Sequence, residues 1–481
     1  MQPTSHKFKE NAADALADVQ LQRALGNART GFVGRRIAAR DALPEFDALC
    51  EQAKQIKDHT LAHLDLYLEA YERKVTEAGG HVHWAATAED ARAIVLGICR
   101  EAGARLVTKG KSMVAEEVAL NPALEAAGLE VAETDLGEYI IQIRHESPSH
   151  IIAPAIHLNR DQVEADFRRV HTHLPPERSL VEPVELVSEA RGILREKFIN
   201  ADVGITGANF LIAETGTSVI VTNEGNGDLT QLLPRVHIVL TTIEKIVPTL
   251  SDVSGILRVL ARSATGQDMS MYTTFSTGPR REGDPDGPET YHVVLLDNGR
   301  SEMLGSEFQD MLRCIRCGAC MNHCPVYGAV GGHAYGWVYP GPMGAVLTPQ
   351  LIGVHEAGHL PNASSFCGRC EAVCPMKIPL PKMMRHWRER EFERGDSPWV
   401  QRAAVRAWAY AAKRPKLYRL MVNSAAGLMA EWGKARGRFR WLPLAGGWLR
   451  HRDLPAPPGR TFHALWRAEL RKRQRDAGAG F

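Results

Sequence analysis

Seven of the nine cysteines in this 481-residue chain fall between Cys314 and Cys374, in two runs that each end in proline. The first reads Cys314-Ile-Arg-Cys317-Gly-Ala-Cys320-Met-Asn-His-Cys324-Pro325, the second Cys367-Gly-Arg-Cys370-Glu-Ala-Val-Cys374-Pro375. C-x2-C-x2-C-x3-C-P is the ligand spacing of bacterial iron–sulfur ferredoxins. Its short gaps let three thiolates on one loop grip three corners of a cubane, while the fourth points away beyond a proline. In two-cluster ferredoxins that fourth cysteine serves the other cluster. Two such runs in tandem point to electron transfer.

Aligned on its proline, the second run has Ser364, Cys367, Cys370 and Cys374 at the four ligand positions. Crossed ligation then gives one cluster Cys314, Cys317, Cys320 and Cys374, and the other Cys324, Cys367 and Cys370. The four-thiolate site suits [4Fe–4S]. The three-thiolate site suits [4Fe–4S] completed by Ser364, water or a partner, with [3Fe–4S] as the alternative. A serine oxygen is a harder ligand than a thiolate, and Ser364 reads equally well as a turn or helix cap. Paired C-x2-C units also bind zinc, but rarely in this spacing. The seven cysteines are therefore expected to hold iron, and no zinc site is expected. Cys50 and Cys99, each alone in a helical-looking stretch, read as buried free thiols.

Three further motifs compete for attention. His355-Glu356-Ala-Gly-His359 satisfies the H-E-x-x-H pattern of zinc hydrolases, although Gly358 weakens the required helix and Pro361 ends it. Lys109-Gly110-Lys111-Ser112 resembles the end of a phosphate-binding loop, but Arg105 stands where that pattern needs glycine. The stretch 207–226, with Asn209, Glu214, Thr215, Thr217, Asn223, Glu224 and Asn226, reads as a ligand pocket or as hydrogen-bonded turns.

These motifs need elements to hold them. Residues 8–76 read as helices, with apolar Leu61, Leu64, Leu66, Tyr67, Leu68 and Tyr71 recurring close to a 3.6-residue period. Strands are expected at 81–84, 105–108, 130–133, 203–206, 210–213, 219–222, 236–241 and 292–296, and helices at 88–102, 112–121 and 243–249, the last continuing towards Arg262. Such alternation predicts a parallel α/β sheet. Residues 264–288, rich in Gly, Pro and charge, read as a long loop. Helices are expected over 301–313, 343–359 and 381–394, around and between the cysteine runs. The domain order is thus 1–75 helical, 76–300 α/β, 301–395 ferredoxin-type and 396–481 a C-terminal region.

That last region is strongly basic. Residues 401–481 carry 18 Lys and Arg against 4 Asp and Glu, and five of the nine tryptophans, whereas the rest of the chain is net acidic. A basic, tryptophan-rich segment suits docking or partner contact, with peripheral membrane contact as an alternative; no nucleic-acid motif accompanies it. No apolar run reaches the roughly 18 residues of a membrane span. The polar N-terminus has no signal-peptide core, so a cytoplasmic location is expected.

The chain resembles the lactate utilization protein B family of bacterial L-lactate oxidation. The resemblance is carried by Lys109–Met113 with Glu116 and Glu117, by 137–142, Pro148–Pro154, 207–226 and His292–Gly299, and by both cysteine runs. It implies an N-terminal domain of the sugar-isomerase and CoA-transferase-like α/β fold, a helical ferredoxin-type domain with two [4Fe–4S] clusters and a helical C-terminal extension. It further implies an electron-passing role in the oxidation of L-lactate to pyruvate, with companion subunits. The family's seven ligands fall on Cys314, Cys317, Cys320, Cys324, Cys367, Cys370 and Cys374, and no catalytic residue is carried over. A scaffold with structural clusters is the alternative, and a zinc hydrolase a remote one. The resemblance names no electron donor or acceptor.

Overall fold

The computed structural model describes residues 3–110, 112–443, 445–449 and 452–478. The chain divides into two compact units, Met1–Arg394 and Gly395–Phe481. The sequence boundaries at 75/76 and 300/301 lie inside the first unit, and the one at 395/396 falls one residue from its end.

Helices Phe8–Ala17, Val19–Asp41, Phe46–Ala62 and Leu64–Glu77 open the chain. Ten strands follow: β1 (His81–Ala85), β2 (Leu106–Gly110), β3 (Glu130–Glu133), β4 (Val203–Thr206), β5 (Phe210–Ile212), β6 (Thr217–Thr222), β7 (Val236–Thr242), β8 (Ile246–Val247), β9 (Tyr272–Ser276) and β10 (Thr290–Leu296). Six of them form one sheet in the order β1-β10-β7-β4-β2-β3, and every pairing in it is parallel. The inner strands β2, β4 and β7 are buried along their whole length. A parallel sheet covered on both faces favours strands without polar alternation. Edge strand β1 instead carries the half-exposed pattern that lets it hold His81 and His83. A smaller sheet, β8-β5-β6-β9, lies beside it.

The helices begin where capping chemistry places them. Thr87 and Asp90 form a reciprocal capping box at the start of Ala88–Glu101, and Thr249 and Asp252 do the same for Leu250–Ala264. Each box satisfies two otherwise orphaned backbone N–H groups. Phe46, Leu49, Val253, Ile256, Met311, Ile315 and Trp387 belong to one apolar core. That core joins the N-terminal helices and the smaller sheet to the cysteine region, so the cysteine loops are set directly into the first unit.

Several expected elements differ. The helix expected from Ile243 is a short turn (Ile243–Lys245), then β8, then a helix beginning only at Leu250. The expected loop 264–288 contains β9, whose exposure pattern shows no strict alternation to reveal it. The helix expected over 301–313 is two 3-10 turns, Ser301–Met303 and Gln309–Arg313. The one expected over 343–359 breaks at Gly353, where φ is +94°.

The second unit holds helices Trp399–Ala412, Pro415–Gly433 and Phe462–Gly478, with a small two-stranded ribbon, β11 (Arg438–Phe439) and β12 (Leu454–Pro455). Trp399, Trp408, Trp432 and Trp441 are exposed on it. Among the described residues, no helix is long and apolar enough to cross a membrane.

Candidate iron–sulfur centre

The two cysteine runs fold as a structural repeat. The residue before each C-x2-C, Arg316 or Phe366, has a left-handed backbone, with φ +59° and +52°. The glycine after each first cysteine, Gly318 or Gly368, is also left-handed, with φ +71° and +76°. Glycine meets that requirement without the steric cost a side chain brings. Each glycine then caps a four-residue helix, Ala319–Asn322 or Arg369–Ala372, before the Cys-Pro pair. In this repeat Ser364 corresponds to Cys314.

Backbone N–H groups converge on the sulfurs in the same register. Ala319 N–H serves Cys317, and Arg369 N–H serves Cys367. Val326 and Tyr327 serve Cys324, and Met376 and Ile378 serve Cys374. Donors of this kind stabilise anionic thiolates and set cluster potentials.

Two cavities receive the cysteines. The first, with ≈ 390 Å³ of empty space, is lined by Cys314, Cys317, Cys320 and Cys374 together with Ile315, Met343 and Ile378. The second, with ≈ 330 Å³, is lined by Cys324, Cys367 and Cys370 together with Ser364, Phe366 and Met384. Cys374 thus leaves its own run to join the first loop, and Cys324 joins the second. Ser364 borders the second cavity, while its Oγ accepts a hydrogen bond from Phe366 N at 3.2 Å. It is a turn residue that faces the site.

Thiol chemistry and charge both suit a metal cluster. Burial pushes Cys370 up to about 12 and Cys374 up to about 11, and also raises Cys317, Cys320 and Cys324. Cys367 is lowered by the Arg369 N–H. Most of these thiols would therefore hold their protons at neutral pH unless a metal displaced them. Arg36 supplies a second indication. Its guanidinium is buried near Cys317 and Cys374, its NH2 group donates to Val373 O at 2.7 Å, and its Nε has no hydrogen-bond partner among the described residues. Among the described residues no carboxylate forms an ion pair with it. A buried unpaired cation is costly, and a cluster held by four thiolates is the anion that would offset it.

A buried ion network runs from the sheet to the first cavity. Arg300, just beyond β10, grips Glu117 with two bonds of 2.9 and 2.6 Å. Asn298 and the Tyr339 hydroxyl also donate to Glu117, at 2.8 and 2.7 Å. Arg300 Nε lies 3.2 Å from Glu244, and Arg316 lies 3.5 Å from the same carboxylate. Burial alone would raise Glu244, but Arg300 and Arg316 hold it down at about 2. Arg316 also lines the first cavity and stacks over Tyr339 at 4.7 Å. Glu117, Glu244 and Arg300 all follow C-terminal ends of strands, where open α/β sheets place their polar sites.

The segment Pro148–Pro154 packs on the same region. His150 Nε2 contacts Asn322 Oδ1 at 3.0 Å, and Ile151 lines the first cavity. The Tyr327 hydroxyl donates to Ser149 O at 2.9 Å. A Cβ on Gly332 would meet that carbonyl oxygen at 1.8 Å, so glycine is required for the approach.

The remaining sequence motifs find structural roles. His355 lies in the four-residue helix Val354–Ala357, whereas His359 lies beyond it with Nε2 2.6 Å from Ser5 O. The two histidines share no continuous helix, and with Glu356 they do not converge on a metal position. Lys109 is buried between Glu116 at 2.9 Å and Glu133 at 2.7 Å. Burial would lower its pKa, but the carboxylates overcome this and raise it. Ser112 caps the next helix through Ala115 N at 3.1 Å, and Lys111 lies outside the described residues. In 207–226, Asn209 accepts from Val221 N at 2.9 Å, Glu214 from Leu250 N at 3.1 Å, and Asn226 donates to Thr134 O at 3.1 Å. That stretch holds β5 and β6, and these polar side chains bond backbone groups within it and in neighbouring elements. Cys50 and Cys99 are buried, and burial pushes each thiol up to about 12.

Comparison with known proteins places this geometry among relatives. Residues 68–296 match the LUD domain, 310–378 a 4Fe-4S dicluster domain, and 369–471 the C-terminal region of lactate utilisation protein B. The chain is 43% identical over 457 residues to lactate utilization protein B of Bacillus velezensis, covering 95% of each chain. It is 42% identical to the Bacillus subtilis protein of that name, again over 95% of each. An uncharacterized electron transport protein of Escherichia coli, YkgF, is 42% identical over 464 residues, 96% of each chain. A solved DUF162 family protein from Deinococcus radiodurans aligns with 48% of this chain and 98% of its own, at 18% identity and a TM-score of 0.26.

Proposed function

This chain belongs to the lactate utilization protein B family as an iron–sulfur protein, and from that premise we propose that it is the electron-transfer subunit of an L-lactate-oxidising assembly. Oxidation of L-lactate to pyruvate releases two electrons and two protons. Companion subunits perform that chemistry, and this chain passes the electrons on. The observation that carries the reading is the crossed lining of two adjacent cysteine cavities, each served by backbone N–H donors. When bound, the clusters supply one-electron acceptance and release.

Cys314, Cys317, Cys320 and Cys374 hold the first cluster. Cys324, Cys367 and Cys370 hold the second, with Ser364, water or a partner group as its fourth ligand. The dicluster match favours [4Fe–4S] in both over the [3Fe–4S] alternative. Ile315 and Ile378 keep water from the first site, and Arg36 offsets its charge. The parallel sheet is compatible with the sugar-isomerase and CoA-transferase-like assignment. The subunit works in the cytoplasm, and its basic tail contacts a partner. The scaffold alternative keeps the same ligands but denies them redox turnover.

Protein purified without oxygen should contain iron and sulfide in about equal amounts, roughly 8 of each per chain for two [4Fe–4S] groups. EPR signals should appear with dithionite and vanish on reoxidation. Iron that never changes oxidation state would favour the scaffold, and zinc in place of iron would sink both readings.

Two substitutions probe the sites separately. Arg36→Met should lower the midpoint potential of the first cluster in an EPR redox titration, because reduction adds negative charge that Arg36 offsets. An unchanged potential would separate Arg36 from that cluster. Ser364→Cys should give the second site four thiolates and slow its bleaching in air, measured as visible absorbance against time. Equal bleaching in both proteins would remove position 364 from the coordination shell.

A further inference from the structure

We propose a third metal site: a divalent transition-metal ion held by Glu146, His157 and His333, separate from the seven cysteines. One ligand-capable atom from each residue lies within 4.8 Å of the other two. Two imidazoles and one carboxylate, with positions left for water, form a donor set suited to Zn²⁺ and neighbouring first-row ions.

The surroundings orient the donors in the way metal sites require. Glu146 Oε1 is held by Arg144 Nε at 2.9 Å, which leaves Oε2 turned to His157 Nε2 at 2.8 Å. The Arg144 charge is shared with Asp166. His333 Nε2 donates to Ser147 O at 2.7 Å, so its Nδ1 is the nitrogen free to ligate. A ligating histidine usually fixes its ring by donating the other N–H to a carbonyl or carboxylate. The two rings lie 4.5 Å apart between centroids, at 65°.

His157 is the second, independent observation. Its side chain is 10% exposed, yet its Nδ1 is buried without a hydrogen-bond partner among the described residues. The single bond to Glu146 does not account for an imidazole buried this far. The opposing fact is that Glu146 is already paired, and its carboxyl is held at about 2, chiefly by the His157 bond.

The consequence is a clamp. Glu146 and His157 flank the Pro148–Pro154 segment, whereas His333 lies between the cysteine runs. The ion would tie the LUD region to the cluster-bearing region within the first unit. Glu146 and His157 are 11 residues apart, but His333 is distant in sequence and the set has no motif spacing, which explains why the sequence suggested no zinc site.

Co²⁺ is the probe of choice, added to oxygen-free protein whose cysteine sites carry their full iron. Nitrogen and oxygen ligands give weak d–d bands, whereas thiolates add intense charge-transfer absorption. The expected result is about one Co²⁺ per chain without the sulfur bands, displaced by Zn²⁺. His333→Gln and Glu146→Gln should each weaken binding at least about tenfold, the scale seen when metal-site residues are altered, with iron content unchanged. Folded, iron-replete wild-type protein that takes up no Co²⁺ at 10 to 100 times its own concentration would overturn the proposal, whatever the variants do. So would binding that survives His333→Gln, or that shows thiolate charge transfer.

Discussion

Cys374→Ser is expected to remove roughly half of the iron, about 4 of about 8 atoms per chain, and the lost signal should be that of the cluster on Cys314, Cys317 and Cys320. Cys374 belongs to the second run, yet the ferredoxin pattern assigns the cysteine before each proline to the other cluster. The cavity linings support the crossed assignment: Cys374 lines the first cavity with Ile315 and Ile378, while Cys324 lines the second with Cys367 and Cys370. Serine keeps the size of the side chain but replaces a soft ligand with a hard one. Cys324→Ser should be the mirror experiment, sparing the first cluster. Iron analysis with EPR on both variants reads the result. If Cys374→Ser damages only the second cluster, each run serves its own site and the crossed assignment fails.

Arg300→Met is expected to destabilise the protein by about 3–5 kcal/mol, the range for removing one partner of a buried ion pair. Arg300 and Glu117 are fully buried. Without the guanidinium, Glu117 retains, among the described residues, the Asn298 and Tyr339 donors, and Glu244 retains Arg316. Pairing Arg300→Met with Glu117→Gln should recover part of the loss, because no Glu117 charge is then stranded. Urea unfolding of the single and double variants measures this; equal losses would mean that packing, not charge, is responsible.

The same network sets an acid dependence. Glu117 and Glu244 are both held below the usual carboxylate range, Glu244 at about 2. Their stabilisation is complete above the unfolded carboxylate pKa of ~4.3 and is lost as pH falls through the folded values. Wild-type stability should therefore drop steeply below about pH 4, and Arg300→Met should flatten that drop.

The cysteine runs were legible because their ligands crowd into a few residues of local spacing, which leaves loop geometry little freedom. The inner strands were legible for a related reason: β4 and β7 are buried on both faces and so are rich in β-branched and apolar residues. What stayed hidden depends on pairs brought together only by folding. Arg36 reaches Val373 across 337 positions, and Arg300 reaches Glu117 across 183. Neither pair leaves a periodic trace. β9 was lost in a glycine- and proline-rich stretch because its burial follows no alternation. The 207–226 segment left a ligand pocket and hydrogen-bonded turns both open; in the structure Asn209 accepts from Val221 N in β6 and Glu214 from Leu250 N at a helix start.

The central claim is that electrons from L-lactate pass through this chain's clusters. The direct measurement is rapid-freeze EPR of the chain assembled with its companion subunits, mixed without oxygen with L-lactate, while pyruvate is followed in parallel. Both cluster signals are predicted to appear as pyruvate forms and to disappear when an electron acceptor is added. Pyruvate accumulating over a spectrum that never changes would contradict the account.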